Sequence, residues 1–418
     1  MQRSETKPTL TKIAYLTLWF PKASETFIFR EVLNLWEMGL PLKVFTLYGD
    51  LKRQLSPEML AVPGEKVEHL GMKSSTRLPG DIQFWFKRKK RVSLRLFKTI
   101  PVRRWKSVEF GGENVIGFLY GFTLARRFID EPVDHIHAAW AMGPATAAWV
   151  ASELTGIPFS FTGRAGDIYP PDGALEEKIQ AATFVISDNM TNVPYLENLV
   201  PGSKAKIFGI YNGIPLEKVV NAPVPMVSPY KLLALGRFDR IKAFHVLLYA
   251  CKILKDEGLR FKLTLAGDGP RRLHLKFLTR RLGLADQVFF PGFVPYNRVS
   301  NLFCSSDVFV MSSAVHPSGD RDGLPTVIME ALTHRLPVVS TDVCGIPEVI
   351  QNGVTGLLVK QNDPQSLASG IRKMLTDREK AVEMAQKGQE LVLREFNQKK
   401  NHRKIFDLLV NQVYGAQN

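Results

Sequence analysis

What most constrains this chain is a rhythm: short apolar, β-branched runs alternate with amphipathic stretches of helical period, and the alternation breaks once. KIAYLTLWF leads into ETFIFREVLNLWEMG, followed by LKVFTLY, HIHAAWA with GPATAAWVASELTG, PFSFTG and ATFVISD. After the proline-rich VVNAPVPMVSPY the pattern restarts with KLLALGRF and AFHVLLYACKILKDEG, then FKLTLAGDG, LHLKFLTRRLG, VFFPGF, VFVMSS, VIMEALTH, PVVSTD and LASGIRKMLTD. Parallel strands need a crossover between them, so repeated strand–helix units predict an α/β fold with parallel sheets. Two series predict two doubly wound domains, residues 1–215 and 216–399, joined near 215–230, with a last helix at about 400–418 crossing back onto the first. Ligands of such sheets sit beyond the carboxyl ends of the strands, so the expected site is the cleft between the domains.

Composition narrows the class. A chain of 418 residues, 45% of them apolar, can bury more than one core. Cys251, Cys304 and Cys344 are isolated, which fits a reducing compartment and gives neither a disulfide framework nor a metal-ligand spacing. The first apolar run, Ile13–Phe20, is too short to span a bilayer and lacks a cleavage pattern, so a cytoplasmic protein is expected. The formal charge of +15 concentrates in Lys87–Lys106, ten basic residues and no acid, interleaved with Phe84, Trp85, Phe86, Leu94, Leu96, Phe97 and Trp105. Three readings stand: docking on the anionic inner face of the cytoplasmic membrane, a solvated basic face with core aromatics, or nucleic-acid binding. Interleaved apolar residues favour the membrane over nucleic acid.

The chemistry concentrates in HPSGDRDGLPTVIMEALTHRLPVVSTD. Gly323-Leu324-Pro325-Thr326 reads as a turn feeding a helix, with Pro325 in the first helical turn, where a missing N–H costs little. Free amides and the positive end of the helix dipole make a diphosphate cradle there. Glu330, one turn on, is placed to accept hydrogen bonds from ribose hydroxyls, and Asp322, eight positions earlier, lies where a sugar ring would sit. An acid pair at this distance also arises by chance; the surrounding motifs decide. A rival reading takes Asp320-Arg321-Asp322 as an Asp-x-Asp pair holding a divalent ion. Arg321 between the acids and the helix start behind them favour a metal-free site, and His316 alone makes no metal cluster.

This segment resembles the Glu-x(7)-Glu signature of the family-four retaining glycosyltransferases of GT-B fold, with Asp322 where the first Glu usually stands. Further matches are FPKASETFIFREVLNL, PFSFTGRAGDIY, IYNGIPLEKV, LGRFDRIKAFHVLLYA, LAGDGPRR, VFFPGFVP and SSDVFVMSS, in the family's order over nearly the whole chain. The resemblance implies two Rossmann-like domains facing across a cleft, a nucleotide-diphosphate sugar held by the second, and a glycan or lipid-linked oligosaccharide acceptor held by the first. It implies no cofactor and no metal. Arg237 and Lys242 in GRFDRIK would neutralise the donor phosphates, stabilising charge as it develops on the leaving group; the alternative is two exposed basic residues on a loop. Gly267 in GDGP would border the donor, and Phe293 in GFV is either a wall for the base or a core aromatic.

On the acceptor side, Arg164 stands where many relatives carry histidine. A guanidinium stays protonated and can only donate, so it suits a departing phosphate, an anionic sugar or a lipid phosphate. A structural salt bridge with Asp167 is the alternative. His137 in HIHAAW is expected to line or support the cleft, and Glu25 in KASETF to orient the acceptor hydroxyl, unless Ser24 simply caps the following helix. The implied function is transfer from a UDP- or GDP-sugar in surface polysaccharide synthesis, of the colanic-acid, capsule or lipopolysaccharide kind. The alternative is a catalytically silent relative acting as a nucleotide- or glycan-binding partner subunit.

Overall fold

The computed structural model describes residues 12–51, 55–101, 108–169, 174–216 and 226–414. These fall into two compact units. One takes in the described residues of Met1–Asp188, Val193–Ile210 and Lys399–Asn418; the other comprises Asn189–Asn192 and the described part of Tyr211–Gln398.

The first unit is built on a seven-stranded sheet ordered β3-β2-β1-β4-β5-β6-β7. Its strands are β1 (Ile13–Thr17), β2 (Leu42–Thr46), β3 (Val67–His69), β4 (His135–Ala138), β5 (Phe159–Gly163), β6 (Phe184–Ser187) and β7 (Ile207–Gly209). All neighbours run parallel, with Ile13 opposite both Leu42 and His135. Every residue of β1 is buried because helices cover both faces, which is why the run is continuously apolar instead of alternating. One face carries Ala14, Leu16, Ile136 and Phe161 under the helices Val108–Asp130 and Gly143–Thr155. The other carries Ile13, Tyr15 and Val44 in a core completed by Ile28 and Val32 of Thr26–Glu37 and by Ile405 and Leu409 of the terminal helix Gln398–Tyr414.

The second unit has six parallel strands ordered β10-β9-β8-β11-β12-β13. They are β8 (Tyr230–Leu235), β9 (Phe261–Ala266), β10 (Val288–Gly292), β11 (Val308–Met311), β12 (Val338–Thr341) and β13 (Leu357–Val359). In each sheet the direction of winding reverses once, between β1 and β4 and between β8 and β11, the place where sheets of this kind bind their ligands.

In the basic stretch the aromatics follow the reading of a basic face over core residues. The stretch folds as two helices, Leu78–Arg88 and Lys90–Thr99. Trp85 and Leu96 are buried in the first unit's core, and Phe84 and Phe86 pack against it. Arg126 lies over the Phe84 ring at 4.0 Å, and Phe86 stacks on Phe122. Four of the residues assigned to a lipid surface are thus core residues; Leu94 and Phe97 remain exposed, flanked by Lys87, Lys90, Arg91, Arg95 and Lys98. Arg103, Arg104, Trp105 and Lys106 lie outside the described residues. Among the described residues no helix is long and apolar enough to cross a membrane.

Candidate functional site

In the second unit the winding reversal sets the loop after β8, Gly236–Lys242, beside the loop after β11. Ala314 donates its N–H to the Ile241 carbonyl at 2.8 Å, and the Ser312 hydroxyl donates to the Lys242 carbonyl at 2.9 Å. This brings Lys242 onto Asp322: Nζ donates to Oδ1 at 2.8 Å, while the Ser313 hydroxyl donates to Oδ2. Both side chains are nearly enclosed, 13% and 11% exposed, so neither charge can turn freely to water. Arg237 is anchored differently. Its Nε donates to Asp239 Oδ2 at 2.7 Å, the other oxygen of Asp239 accepts the Lys242 amide at 3.1 Å, and the Arg237 side chain stays 63% exposed. One ammonium with three donors and one open guanidinium therefore face the same loop junction with capacity to spare.

The loops after β9 and β10 are laced to this junction. Gly267 donates to the Gly292 carbonyl at 2.8 Å, and Phe238 to the Asp268 carbonyl at 2.8 Å. A Cβ at Gly267, whose φ is +134, would lie 1.9 Å from the Gly236 carbonyl oxygen, so only glycine fits. Phe293, next in the chain after β10, is 43% exposed, which rules out the core reading and leaves it open to a ligand.

The helix carrying Glu330 runs Thr326–Thr333. Pro325 is its N-cap, with extended ψ of 118, and its carbonyl accepts the Ile328 amide at 3.1 Å. The sequence reading placed Pro325 inside the first turn; the helix instead starts one residue later, because the chain reaches helical dihedrals only at Thr326. Leu324 packs on the core and Gly323 accepts the Gly345 amide at 2.9 Å, fixing the approach to the helix. Glu330 is half-buried, and no described side chain or amide pairs with its carboxylate. Burial pushes that carboxyl up to about 7. Asp320 is likewise raised, by burial first and then by the charges of Asp239 and Asp322. Among the described residues no group of three or more His, Cys, Asp or Glu side chains is arranged to hold a metal ion. His316 is satisfied locally, its Nδ1 lying 2.8 Å from the Ser318 hydroxyl.

In the first unit the corresponding reversal gathers a second polar cluster. Arg164 is buried; it donates from one terminal nitrogen to the Ala139 carbonyl at 2.7 Å and faces Glu31 at 3.9 Å. Its guanidinium lies 4.9 Å from the Phe27 ring centre and 5.1 Å from that of Trp140. The salt bridge from Arg164 to Asp167, the alternative reading of this pair, gives way to another arrangement. Asp167 accepts the backbone amides of Arg164 and Ala141, each at 2.6 Å, stapling the loop after β5 to the loop after β4. Burial raises its carboxyl to about 7 against the opposing pull of those two amides. His137 is fully buried between the Ser160 and Thr162 hydroxyls, at 2.8 and 3.2 Å, and burial holds it neutral, so it supports the sheet and does not line a ligand surface.

Glu25, not Ser24, is the N-cap of Thr26–Glu37, and it makes no side-chain cap. Its Oε1 takes the Lys22 ammonium, while its buried Oε2 has no hydrogen-bond partner. A buried carboxylate oxygen without a partner is rare in a folded protein. Glu31 and Tyr15 escaped the sequence reading: the Tyr15 hydroxyl donates to Glu31 Oε1 at 2.7 Å, completing the support of Arg164. The signal available was an acid at the helical spacing of buried Ile28, Val32 and Leu35.

Residues 222–391 match the family model for glycosyl transferases group 1. A protein of Salmonella typhimurium named as a colanic acid biosynthesis glycosyltransferase, WcaL, is 26% identical over 95% of this chain and 99% of its own. The N-acetyl-alpha-D-glucosaminyl L-malate synthase of Bacillus anthracis is 30% identical over 67% of this chain and 76% of its own. In structure, Anabaena Alr3699/HepE, solved with UDP and glucose, superposes with a TM-score of 0.69 at 18% identity, covering 96% of this chain and 99% of that one. The two parallel-sheet units form a GT-B fold. The chain belongs to the group 1 glycosyltransferases.

Proposed function

We propose that the protein moves a sugar from a UDP- or GDP-sugar to a glycan or lipid-linked acceptor during surface polysaccharide synthesis, with retention of configuration and without a metal ion. The observation that carries this reading is the Lys242–Asp322 pair set beside the start of the helix that bears the unpartnered Glu330. In it, the amides of Thr326 and Val327 with Arg237 and Lys242 hold the diphosphate, Glu330 accepts from the ribose, and Asp322 grips the sugar. Gly267, Gly323, Leu324, Pro325 and Phe293 shape the walls. Two side-chain cations supply the positive charge that a divalent ion would otherwise bring to the leaving group. Asp322, already engaged by Ser313 and Lys242, presents a fixed carboxylate edge to the sugar hydroxyls, and Lys242 bridges sugar and phosphate.

On the acceptor side Glu25, through its open oxygen, orients the attacking hydroxyl, and Arg164 stabilises negative charge from its aromatic slot. Retention needs no separate nucleophile in this scheme: the hydroxyl attacks on the face the diphosphate leaves, which also takes the hydroxyl's proton. The Salmonella relative's name supports a polysaccharide acceptor, and the Anabaena structure with UDP and glucose supports a nucleotide-sugar donor. Lys87–Lys98, with Leu94 and Phe97, would hold the protein at the anionic inner face of the membrane where such acceptors are made.

The test is a panel of UDP- and GDP-sugars screened for thermal stabilisation, with transfer from the best one followed by NMR in the presence of a chelator. Retained anomeric configuration and full activity are expected. An inverted product contradicts the proposed chemistry, activity restored only by a divalent ion returns the Asp-x-Asp reading, and binding without any turnover returns the silent partner subunit.

A further inference from the structure

The helix Arg272–Arg281, RLHLKFLTRR, connects β9 to β10 in the second unit. It buries Leu275, Leu278 and Thr279 and turns its other face outward. On that outer face Leu273 is 82% and Phe277 64% exposed, four residues apart and therefore side by side. Arg280 and Arg281 follow one turn after Phe277, Lys276 and His274 flank Leu273, and the helix contains no acid. Arg272 is paired with Asp268 at 3.1 Å, whereas Lys276, Arg280 and Arg281 have no acidic partner among the described residues. Single exposed apolar residues are ordinary. A fully outward Leu–Phe ridge bordered on both sides by uncompensated cations is a different feature, with the composition of a helix that lies in a bilayer interface.

We propose that this face docks on an anionic phospholipid bilayer, Leu273 and Phe277 entering the acyl boundary while Lys276, Arg280 and Arg281 meet lipid phosphates. Charge complementarity selects this occupant. A second copy of the chain would bring two such cationic ridges together, which repels, and nucleic acid offers phosphates but no apolar phase for Leu273. The surface belongs to the second unit and is independent of the Lys87–Lys98 stretch of the first, and it does not depend on which sugar is transferred.

The experiment uses the full-length protein with vesicles of phosphatidylcholine alone or of equal parts phosphatidylcholine and phosphatidylglycerol, in cosedimentation without donor or acceptor. Wild type should bind the mixed vesicles and not the neutral ones. Leu273→Ser with Phe277→Ser, and separately Arg280→Glu with Arg281→Glu, should each weaken binding at least about tenfold, since each basic residue near an anionic surface contributes on the order of a fivefold factor. Thermal midpoints and nucleotide binding report that both variants are folded. Lys90→Glu with Arg91→Glu measures the other stretch separately. Wild-type vesicle binding in both helix variants overturns the proposal, as does equal binding to neutral vesicles. A serine variant that dissociates a dimer while leaving vesicle binding intact also overturns it, and assigns the ridge to self-association.

Discussion

Glu330 is the side chain whose environment makes the sharpest demand. Burial disfavours the charge and pushes its carboxyl up to about 7, against an ordinary value of 4.5. The folded state therefore holds this proton more tightly than the unfolded chain, so the group's contribution to stability falls as pH rises from about 4.5 to about 7. Glu330→Gln should accordingly raise the thermal midpoint relative to wild type at about pH 8 and leave it nearly level at about pH 5. A ribose diol donating to the carboxylate favours the ionised form, so nucleotide affinity should rise as pH climbs through about 7 in wild type and stay flat in Glu330→Gln, as read by calorimetry. The Lys242–Asp322 pair makes a second demand. Asp322→Ala strands a nearly enclosed ammonium, and the expected loss of stability is about 3 kcal/mol, measured by urea unfolding.

Residues such as Lys242, Asp322 and Glu330 were legible in the sequence because motif spacing carries them. Glu31 and Tyr15 were not, since their pairing spans strand and helix and follows from burial alone.

At the scale of elements, the strands legible in the sequence were the longer apolar ones. Strands β3, β7 and β13, three residues each, lie at or near the sheet margins and are too short for any periodicity to register. Aromatic residues in the basic stretch misled for a related reason: on a helix, Trp85 and Leu96 reach the core while neighbouring cations stay wet, a partition that composition does not reveal. The junction of loops after β8, β9 and β10 rests on Gly267. Gly267→Ala would drive a methyl into the Gly236 carbonyl, and an expected cost of about 3 kcal/mol should appear in urea unfolding together with weakened nucleotide binding. Unchanged stability would mean that the two loops separate at little cost and do not hold Arg237 and Lys242 in place.

At the scale of the molecule, the proposed roles divide between two units with their own cores. Variants should divide the same way. Glu25→Ala, which removes the open carboxylate of the first unit, should leave nucleotide affinity within about twofold of wild type while cutting transfer at least tenfold, the scale of a lost positioning group. Doubly wound architecture was readable from the alternation of runs, and the meeting of Lys242 with Asp322, 80 positions apart, followed only from strand order at the reversal between β8 and β11. The central claim is that this meeting point and the helix behind it hold a nucleoside diphosphate. Calorimetric titration of UDP and GDP into wild type, Lys242→Ala and Glu330→Ala tests it most directly. One of the two nucleotides should bind wild type, and each variant should bind it at least about tenfold more weakly, a loss of about 1.4 kcal/mol. Wild-type affinity in both variants would contradict the account.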